Sequence, residues 1–215
     1  MNAMIPTQVD ERGPSASADA DGPSGAVDTA RVEHLVRELL LALGEDPERA
    51  GLADTPRRVA GWWREFLEPG SAGTATCFAE ASSDGQLVVV GDMGVWSLCE
   101  HHLLPMRLDV TVGYLPAGVV LGLSKFGRIT RRFAGRLQLQ ERLTEQVARA
   151  VIEATGSQDV AVAVRGEHLC MSMRGVRMGT ARTTTVHTHG RFVTDQALSG
   201  QFLALSRAAG PEGAV

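Results

Sequence analysis

The spacing of apolar residues divides the first part of the chain into two helical segments. Between Asp28 and Gly44 apolar side chains recur every three or four positions, which is typical of a helix with one buried face. A second helix is predicted after Thr55, its N-cap, with Pro56 at the first helical position and an apolar stripe rich in Trp behind it. The pattern therefore predicts a pair of helices that pack on each other.

Strand patterns follow in the middle and near the end of the chain. Residues 107–114 alternate between polar and apolar side chains, as in a half-buried strand, and the run 86–92 is its predicted partner. Two further strand-like runs lie at residues 159–166 and 182–186. These four runs predict one antiparallel sheet.

Two helical stripes separate the two pairs of strands. One runs from Phe126 to Leu137, and the other runs from Leu143 to Ala154 and ends near Gly156. A short helical tail is predicted from about Asp195. The order of elements predicts an α+β fold with an antiparallel sheet, helices on one face and an N-terminal helical extension.

Composition divides the chain into regions. The first residues are rich in Ala, Ser, Gly, Asp and Pro, which predicts disorder. We therefore divide the chain into a disordered leader (1–28), the helical pair (29–70), a main domain (71–208) and a flexible tail (209–215). The sequence contains no secretory signal and no membrane-spanning stretch, so we expect a cytoplasmic protein that does not bind membranes. A net charge of −4 gives no overall attraction to nucleic acid.

Four consecutive residues that can ionise or bind a metal form the string Cys-Glu-His-His at residues 99–102, between two apolar strand ends. Cys and His side chains three positions apart can bind one metal ion from a short loop. His168 and Cys170 form a second pair, which we expect to project from the same face of a strand. Five donors exceed the four that a closed structural zinc site needs, so both a structural and a catalytic site remain open.

Other Cys and His residues have simpler interpretations. Cys77 lies in a Ser/Ala/Gly-rich region far from both pairs and is interpreted as an incidental thiol. His34 fits a surface or core position on the first helix, and the pair His187 and His189 fits polar residues at a strand end.

A basic cluster occurs at the start of the third helix. Ser124, Lys125 and Arg128 lie within one turn, where cations oppose the helix dipole unless an anion is bound there. Arg174 adds a cation close to the second Cys/His pair. A solvated basic face and a polyphosphate site are both consistent with this pattern.

The fourth helix begins with Gln140 and Glu141. An acidic residue there usually favours the helix dipole. A carboxylate also accepts two parallel hydrogen bonds, which matches the edge of guanine and not that of adenine. Glu141 is therefore a candidate for selecting guanine.

Five ordered segments together resemble the GTP cyclohydrolase I family, over residues from about 30 to 205. They read GEDPERAGLADTPRRVAGWW, CEHHLLPM, GYLPAGVVLGLSKFGRI, RLQLQERLTEQVA and HLCMSMRGV. The resemblance implies a tunnelling fold, in which subunits join their sheets into a barrel, and a homodecamer of two pentamers with active sites at subunit interfaces.

The resemblance also implies roles for the candidate residues. Zinc is held by Cys99, His102 and Cys170, while His101 and His168 activate water and transfer protons. The triphosphate of GTP is bound by Ser124, Lys125, Arg128 and Arg174, and guanine is received by Gln140 and Glu141. The implied reaction opens the imidazole ring at C8, with protonation of N7 by His168, releases formate and yields 7,8-dihydroneopterin triphosphate.

Two other functions remain as alternatives. One is a zinc-bound nucleotide-binding paralogue without catalysis, against which the presence of His101 and His168 argues. The other is a reductase of the related type that acts on deazaguanine nitriles with a thiol and NADPH. Glu167, beside His168, departs from the small or apolar residue expected of the family, which leaves the pKa of His168 open.

Overall fold

The structure is a computed structural model that describes residues 25–68, 77–78, 85–118 and 120–208. The helices are α1 (Thr29–Ala42), α2 (Thr55–Leu67), α3 (Leu123–Ala134), α4 (Gln140–Thr155), α5 (Leu169–Ser172), α6 (Arg191–Thr194) and α7 (Gln196–Ala208). The strands are β1 (Cys77–Phe78), β2 (Val88–Cys99), β3 (Pro105–Tyr114), β4 (Val120–Leu121), β5 (Leu137–Gln138), β6 (Val160–His168) and β7 (Thr183–Thr188). Most of the predicted leader and all of the predicted flexible tail lie outside the described residues.

The main sheet has five strands in the order β5-β2-β3-β6-β7. The pairs β2/β3, β3/β6 and β6/β7 are antiparallel, as the alternating patterns predict. The short strand β5 pairs with the end of β2 in parallel, and β1 and β4 form a separate two-stranded sheet. Strands β3 and β6 occupy the centre because their apolar residues are buried on the sheet.

One face of the sheet carries the larger core. Val110, Val112, Val162 and Val164 on the two central strands pack against helices α3 and α4. The α4 stripe confirms the predicted period, since Leu143, Val147 and Val151 are fully buried. Each such side chain contributes about 1.5–3 kcal/mol when it leaves water. Gly156 ends α4 with a φ of 70°, as predicted.

The opposite face is also covered by helices, so the prediction of helices on one face only is wrong. Ala161 and Ala163 alternate with the valines of β6 and pack against Phe192 of α6 and Phe202 of α7. A Cβ at Gly113 would lie 2.6 Å from Cδ2 of Phe202. Small residues on this face leave room for aromatic rings, which the helical tail supplies.

Several element boundaries differ from the predicted ones. Thr55 is the first residue of α2 rather than its N-cap, which is Asp54. Helix α3 ends at Ala134 because Gly135 caps it, so Leu137 does not belong to the helical stripe and pairs instead with Leu98 of β2. Strand β2 continues past residue 92 through an irregularity in its pairing with β3.

The N-terminal helices pack on each other, as predicted. The carboxylate of Asp28 accepts a hydrogen bond from the Arg31 backbone and caps α1. None of the residues of α1 is buried, and Leu35 and Leu39 are each 54 % exposed. Among the described residues, no helix is both long and apolar enough to cross a membrane.

Candidate functional site

The loop between β2 and β3 presents the first group of predicted ligands. The Cys99 backbone N–H donates to the Leu104 carbonyl at 2.9 Å, and the Cys99 carbonyl accepts from Leu103 at 2.8 Å. This closes a short loop that leaves Cys99 buried, while His101 and His102 are exposed. Leu103 has a φ of 55°, a left-handed conformation that a branched residue rarely adopts. The loop therefore holds its two histidines beside a buried thiol.

The second group lies where β6 ends. The pairing of His168 with Met106 places this end beside the start of β3. Cys170 lies on the single turn of α5, because the backbone turns helical at Leu169. The prediction that His168 and Cys170 share one strand face is therefore wrong. The turn separates the two side chains and directs them to different neighbours.

Cys99, His102 and Cys170 come together in one group. One ligand atom from each lies within 4.8 Å of the others, and Nδ1 of His102 is 4.0 Å from Sγ of Cys99. Two thiols and one imidazole are the donor types that zinc prefers, so these residues fit the metal that the sequence predicts. The pKa of the Cys170 thiol is raised by burial and by its neighbour Cys99. Metal binding requires this thiol to lose its proton, as it does for any thiolate ligand.

Two cationic or basic groups surround these donors. His101 lies near the group, with Nδ1 3.9 Å from Sγ of Cys99, but it is not one of the three mutually close donors. Arg174 donates from its guanidinium to Nε2 of His102 at 2.8 Å. The structure thus places the predicted cation directly against one of the predicted ligands.

His168 lies behind the group and contacts the head of helix α4. Its Nε2 is 2.8 Å from Oε1 of Gln140. Burial lowers the pKa of His168, and the nearby carboxylate of Glu141 opposes this shift. Gln140 is only 1 % exposed, and its amide nitrogen is hydrogen-bonded within the chain. Both ends of the Gln140 amide are thus hydrogen-bonded within this chain, whereas Glu141 is exposed, and the role of the pair in receiving guanine stays a prediction.

The basic cluster lies at the other end of the sheet. The Phe126 ring contacts Tyr114, with 5.6 Å between centroids, so the start of α3 lies beside the last residue of β3. The metal-binding group lies beyond Pro105, the first residue of that strand. Ten residues of strand span about 30 Å. The start of α3 therefore lies toward the opposite end of β3 from the Cys/His group.

Comparison with known proteins places this geometry in a family. The profile of GTP cyclohydrolase I matches residues 32–207. The chain belongs to the GTP cyclohydrolase I family. Its similar relatives include GTP cyclohydrolase 1 of Hyperthermus butylicus, which is 51 % identical over 80 % of this chain and 88 % of its own length. GTP cyclohydrolase 1 of Mycobacterium ulcerans is 46 % identical over 84 % of this chain and 91 % of its own length.

This member of the GTP cyclohydrolase I family contains supporting residues that the sequence patterns did not reveal. Glu100, in the metal-binding loop, forms an ion pair with Arg142 of α4. Arg142 also donates through Nε to Oε1 of Gln138 at 2.7 Å, and Gln138 is fully buried. These contacts tie the loop to α4. No local pattern marks them, because Glu100 and Arg142 are 42 positions apart.

Glu167 departs from the pattern expected of the GTP cyclohydrolase I family, but it has a partner. Its carboxylate lies 3.3 Å from the Arg182 guanidinium. Burial lowers the pKa of His168 and Glu141 opposes this shift, and Glu167 is not among its causes. The unusual residue is therefore balanced by a neighbouring cation.

Proposed function

We propose that the protein hydrolyses GTP at C8 of its imidazole ring, releases formate and forms 7,8-dihydroneopterin triphosphate. The observation that carries the proposal is the group of Cys99, His102 and Cys170 beside two further histidines. Membership of the GTP cyclohydrolase I family supports the same reaction. A structural metal site would need no histidine outside its ligand set, whereas hydrolysis needs groups that move protons.

Zinc is the metal that we propose for this site, held by Cys99, His102 and Cys170. The set offers three protein donors, which is the number typical of catalytic rather than structural zinc. Zinc in such a site acts as a Lewis acid and acidifies water near neutral pH. The contact between Arg174 and His102 keeps a cation at the edge of the same group.

His101 and His168 are the proposed proton-transfer residues. His101 lies beside Cys99 and is exposed, so it can assist the water that adds to C8. His168 is proposed to protonate N7, which makes C8 more electrophilic and weakens the ring. Burial lowers the pKa of His168, so its protonated form is a stronger acid than an exposed histidine.

Substrate recognition is divided between the two ends of the sheet. Glu141, exposed at the head of α4, is proposed to accept the N1–H and amino edge of guanine. The triphosphate is proposed to bind Ser124, Lys125, Arg128 and Arg174. Since the start of α3 lies toward the end of β3 that is about 30 Å from the end at Pro105, we propose that a second copy supplies it. The proposed assembly is the homodecamer with sheets joined into a tunnelling-fold barrel that the family resemblance implies.

A direct assay tests the proposal. The purified, zinc-loaded protein is incubated with GTP, and formate and the pterin product are measured. We expect one formate per GTP consumed, and loss of formate release after removal of zinc by a chelator. A protein that binds GTP and zinc without formate release would be the catalytically silent paralogue. NADPH consumption with a deazaguanine nitrile would identify the reductase instead.

A further inference from the structure

The orientation of the Gln140 side chain is determined by its neighbours. Nε2 of Gln140 lies 3.0 Å from the Val164 carbonyl, 3.2 Å from the Thr183 carbonyl and 3.1 Å from Oγ1 of Thr185. Backbone carbonyls only accept hydrogen bonds, so the amino group must face them. Oε1 must then point the other way, toward Nε2 of His168 at 2.8 Å.

The hydroxyl groups nearby reinforce this orientation. Thr144 donates through Oγ1 to the Gln140 carbonyl at 2.7 Å. Since that hydrogen is used, the 2.6 Å contact between Oγ1 of Thr144 and Oγ1 of Thr185 must be donated by Thr185. Oγ1 of Thr185 can then accept a hydrogen bond from the Gln140 amino group. The donor and the acceptor of these hydrogen bonds are then defined, and exchanging the oxygen and nitrogen of the Gln140 amide would break the network.

The consequence for His168 concerns its two ring nitrogens. An amide oxygen has no hydrogen to give, so Nε2 of His168 must carry one. We propose that Gln140 is a positioning residue that keeps a hydrogen on Nε2 of His168 and thereby leaves Nδ1 as the nitrogen that exchanges a proton with the substrate. This inference rests on the proposed role of His168 in the hydrolysis of GTP. It assigns Gln140 to the histidine and not to guanine.

Gly166 leaves space for the contact between Gln140 and His168. A Cβ at Gly166 would lie 2.3 Å from Oε1 of Gln140 and 2.6 Å from Cδ2 of Leu108. Such distances are far below van der Waals contact. Any side chain at position 166 would therefore displace the amide oxygen from His168.

Nuclear magnetic resonance of the zinc-loaded protein labelled with [15N]histidine tests the tautomer directly. The His168 signals are those that disappear in the His168→Gln variant, out of six histidines. At a pH where the ring is neutral, we expect Nε2 to carry the hydrogen and Nδ1 to be bare. In Gln140→Leu we expect the signals to shift toward a mixture of tautomers. A wild-type ring protonated at Nδ1 would overturn the proposal.

Kinetics separate positioning from substrate binding. Proton transfer by a positioned group contributes about 10²–10⁴-fold to rate, so we expect kcat of Gln140→Leu to fall roughly 10- to 100-fold. The KM for GTP should change by less than about threefold, because the amide does not contact the substrate. A rise in KM with unchanged kcat would instead make Gln140 a guanine-binding residue and overturn the inference.

Milder variants keep the test decisive if Gln140→Leu does not fold. Thr185→Val removes one acceptor of the Gln140 amide and should lower kcat about threefold or more, whereas Thr185→Ser retains the hydroxyl and should restore it. Thr184→Val, exposed on the same strand, is the matched control and should leave kcat unchanged. Equal kcat in all three variants would overturn the proposal.

Failure of the proposed function has a different result. If wild-type protein releases no formate but the Nε2–H tautomer of His168 is present, the proposed function is refuted and the hydrogen-bond assignment stands.

Discussion

The two ends of the main sheet differ in how completely one chain builds them. At the end formed by Cys99 and His168, the β2–β3 loop and α5 bring three donor atoms within 4.8 Å of one another, and His168 of β6 lies 2.8 Å from Gln140 of α4. At the other end, the start of α3 offers Ser124 and Arg128 as exposed groups. We call these the metal end and the basic end of the sheet.

Under the proposed function, the two ends belong to different copies of the chain in each active site. The metal end needs atoms placed within a few tenths of an ångström, which buried hydrogen bonds such as that of Gln140 can provide. The basic end needs only positive charge within reach of a flexible triphosphate. A chain that keeps its two ends about 30 Å apart can use both in one reaction only if the ends of different copies meet.

The largest expected effect is at the metal end. Cys170→Ala removes one of three ligands, so bound zinc and activity should both be lost. His168→Gln should retain about one zinc per subunit and lose on the order of 10²-fold or more in rate, because only proton transfer is missing. Metal analysis beside a formate assay measures both.

Cys77→Ala is the matched control for this pair of variants. It removes a thiol that the sequence predicts to be incidental, and zinc and activity should both remain. If His168→Gln lost its zinc as fully as Cys170→Ala, His168 would be a fourth ligand and the site would be structural.

Mixed oligomers test whether the two ends come from different copies. Cys170→Ala damages the metal end and Lys125→Ala combined with Arg128→Ala damages the basic end, so each variant alone should be nearly inactive. When the two are co-expressed, random assortment should give about a quarter of sites two intact halves. Formate release by the purified mixture should then recover toward a quarter of the wild-type rate.

The control uses two defects at the same end. Cys170→Ala co-expressed with His168→Gln should not recover, if both residues act from the same chain. Equal absence of recovery in both mixtures would show that one chain supplies the whole site.

A smaller effect is expected for guanine selection at the metal end. Glu141→Gln should lower kcat/KM for GTP by about 1.5–3 kcal/mol, or roughly 10- to 150-fold, because a charged pair of hydrogen bonds is lost. The wild-type enzyme should reject ATP by a similar factor. Glu145→Gln, one turn along α4 and paired with Arg149, is the matched control and should leave kcat/KM unchanged. ATP turnover within about tenfold of GTP would contradict the assignment.

The smallest effect concerns the basic end. Binding of the triphosphate by Lys125, Arg128 and Arg174 should weaken as salt screens the charges, since the screening length falls from about 10 Å at 0.1 M to about 3 Å at 1 M. We expect KM for GTP to rise roughly two- to threefold over that range, with little change in kcat. Guanosine should be a very poor substrate at any salt. Equal turnover of GTP and guanosine would make the basic cluster a solvated surface.

The sequence predicted the features that depend on local spacing. The stripe of Leu143, Val147 and Val151 defines α4, and alternation in residues 107–114 and 159–166 finds the two central strands. The spacing of Cys99 and His102 places two donors in one short loop, but it left five donors open, and the set with Cys170 followed from the family resemblance.

The features that the sequence did not reveal depend on partners distant along the chain. The family resemblance implies a guanine contact for Gln140, but it does not reveal the contacts of its amide with Val164, Thr183 and Thr185, which no local pattern connects to it. The aromatic residues of α6 and α7 give no sign of which sheet face they cover. Cys170 was placed on a strand because alternation does not show where the backbone turns helical.

Gly166 has a consequence for how this protein can change during evolution. Because a Cβ there would collide with the Gln140 amide, positions 140 and 166 are not free to vary separately. Gly166→Ala would also collide with Leu108, so a shortened residue 140 makes room only in part and loses the contact to His168. The effects of substitutions at positions 108, 140 and 166 are therefore not additive, and a side chain at position 166 is tolerated only with changes at its neighbours.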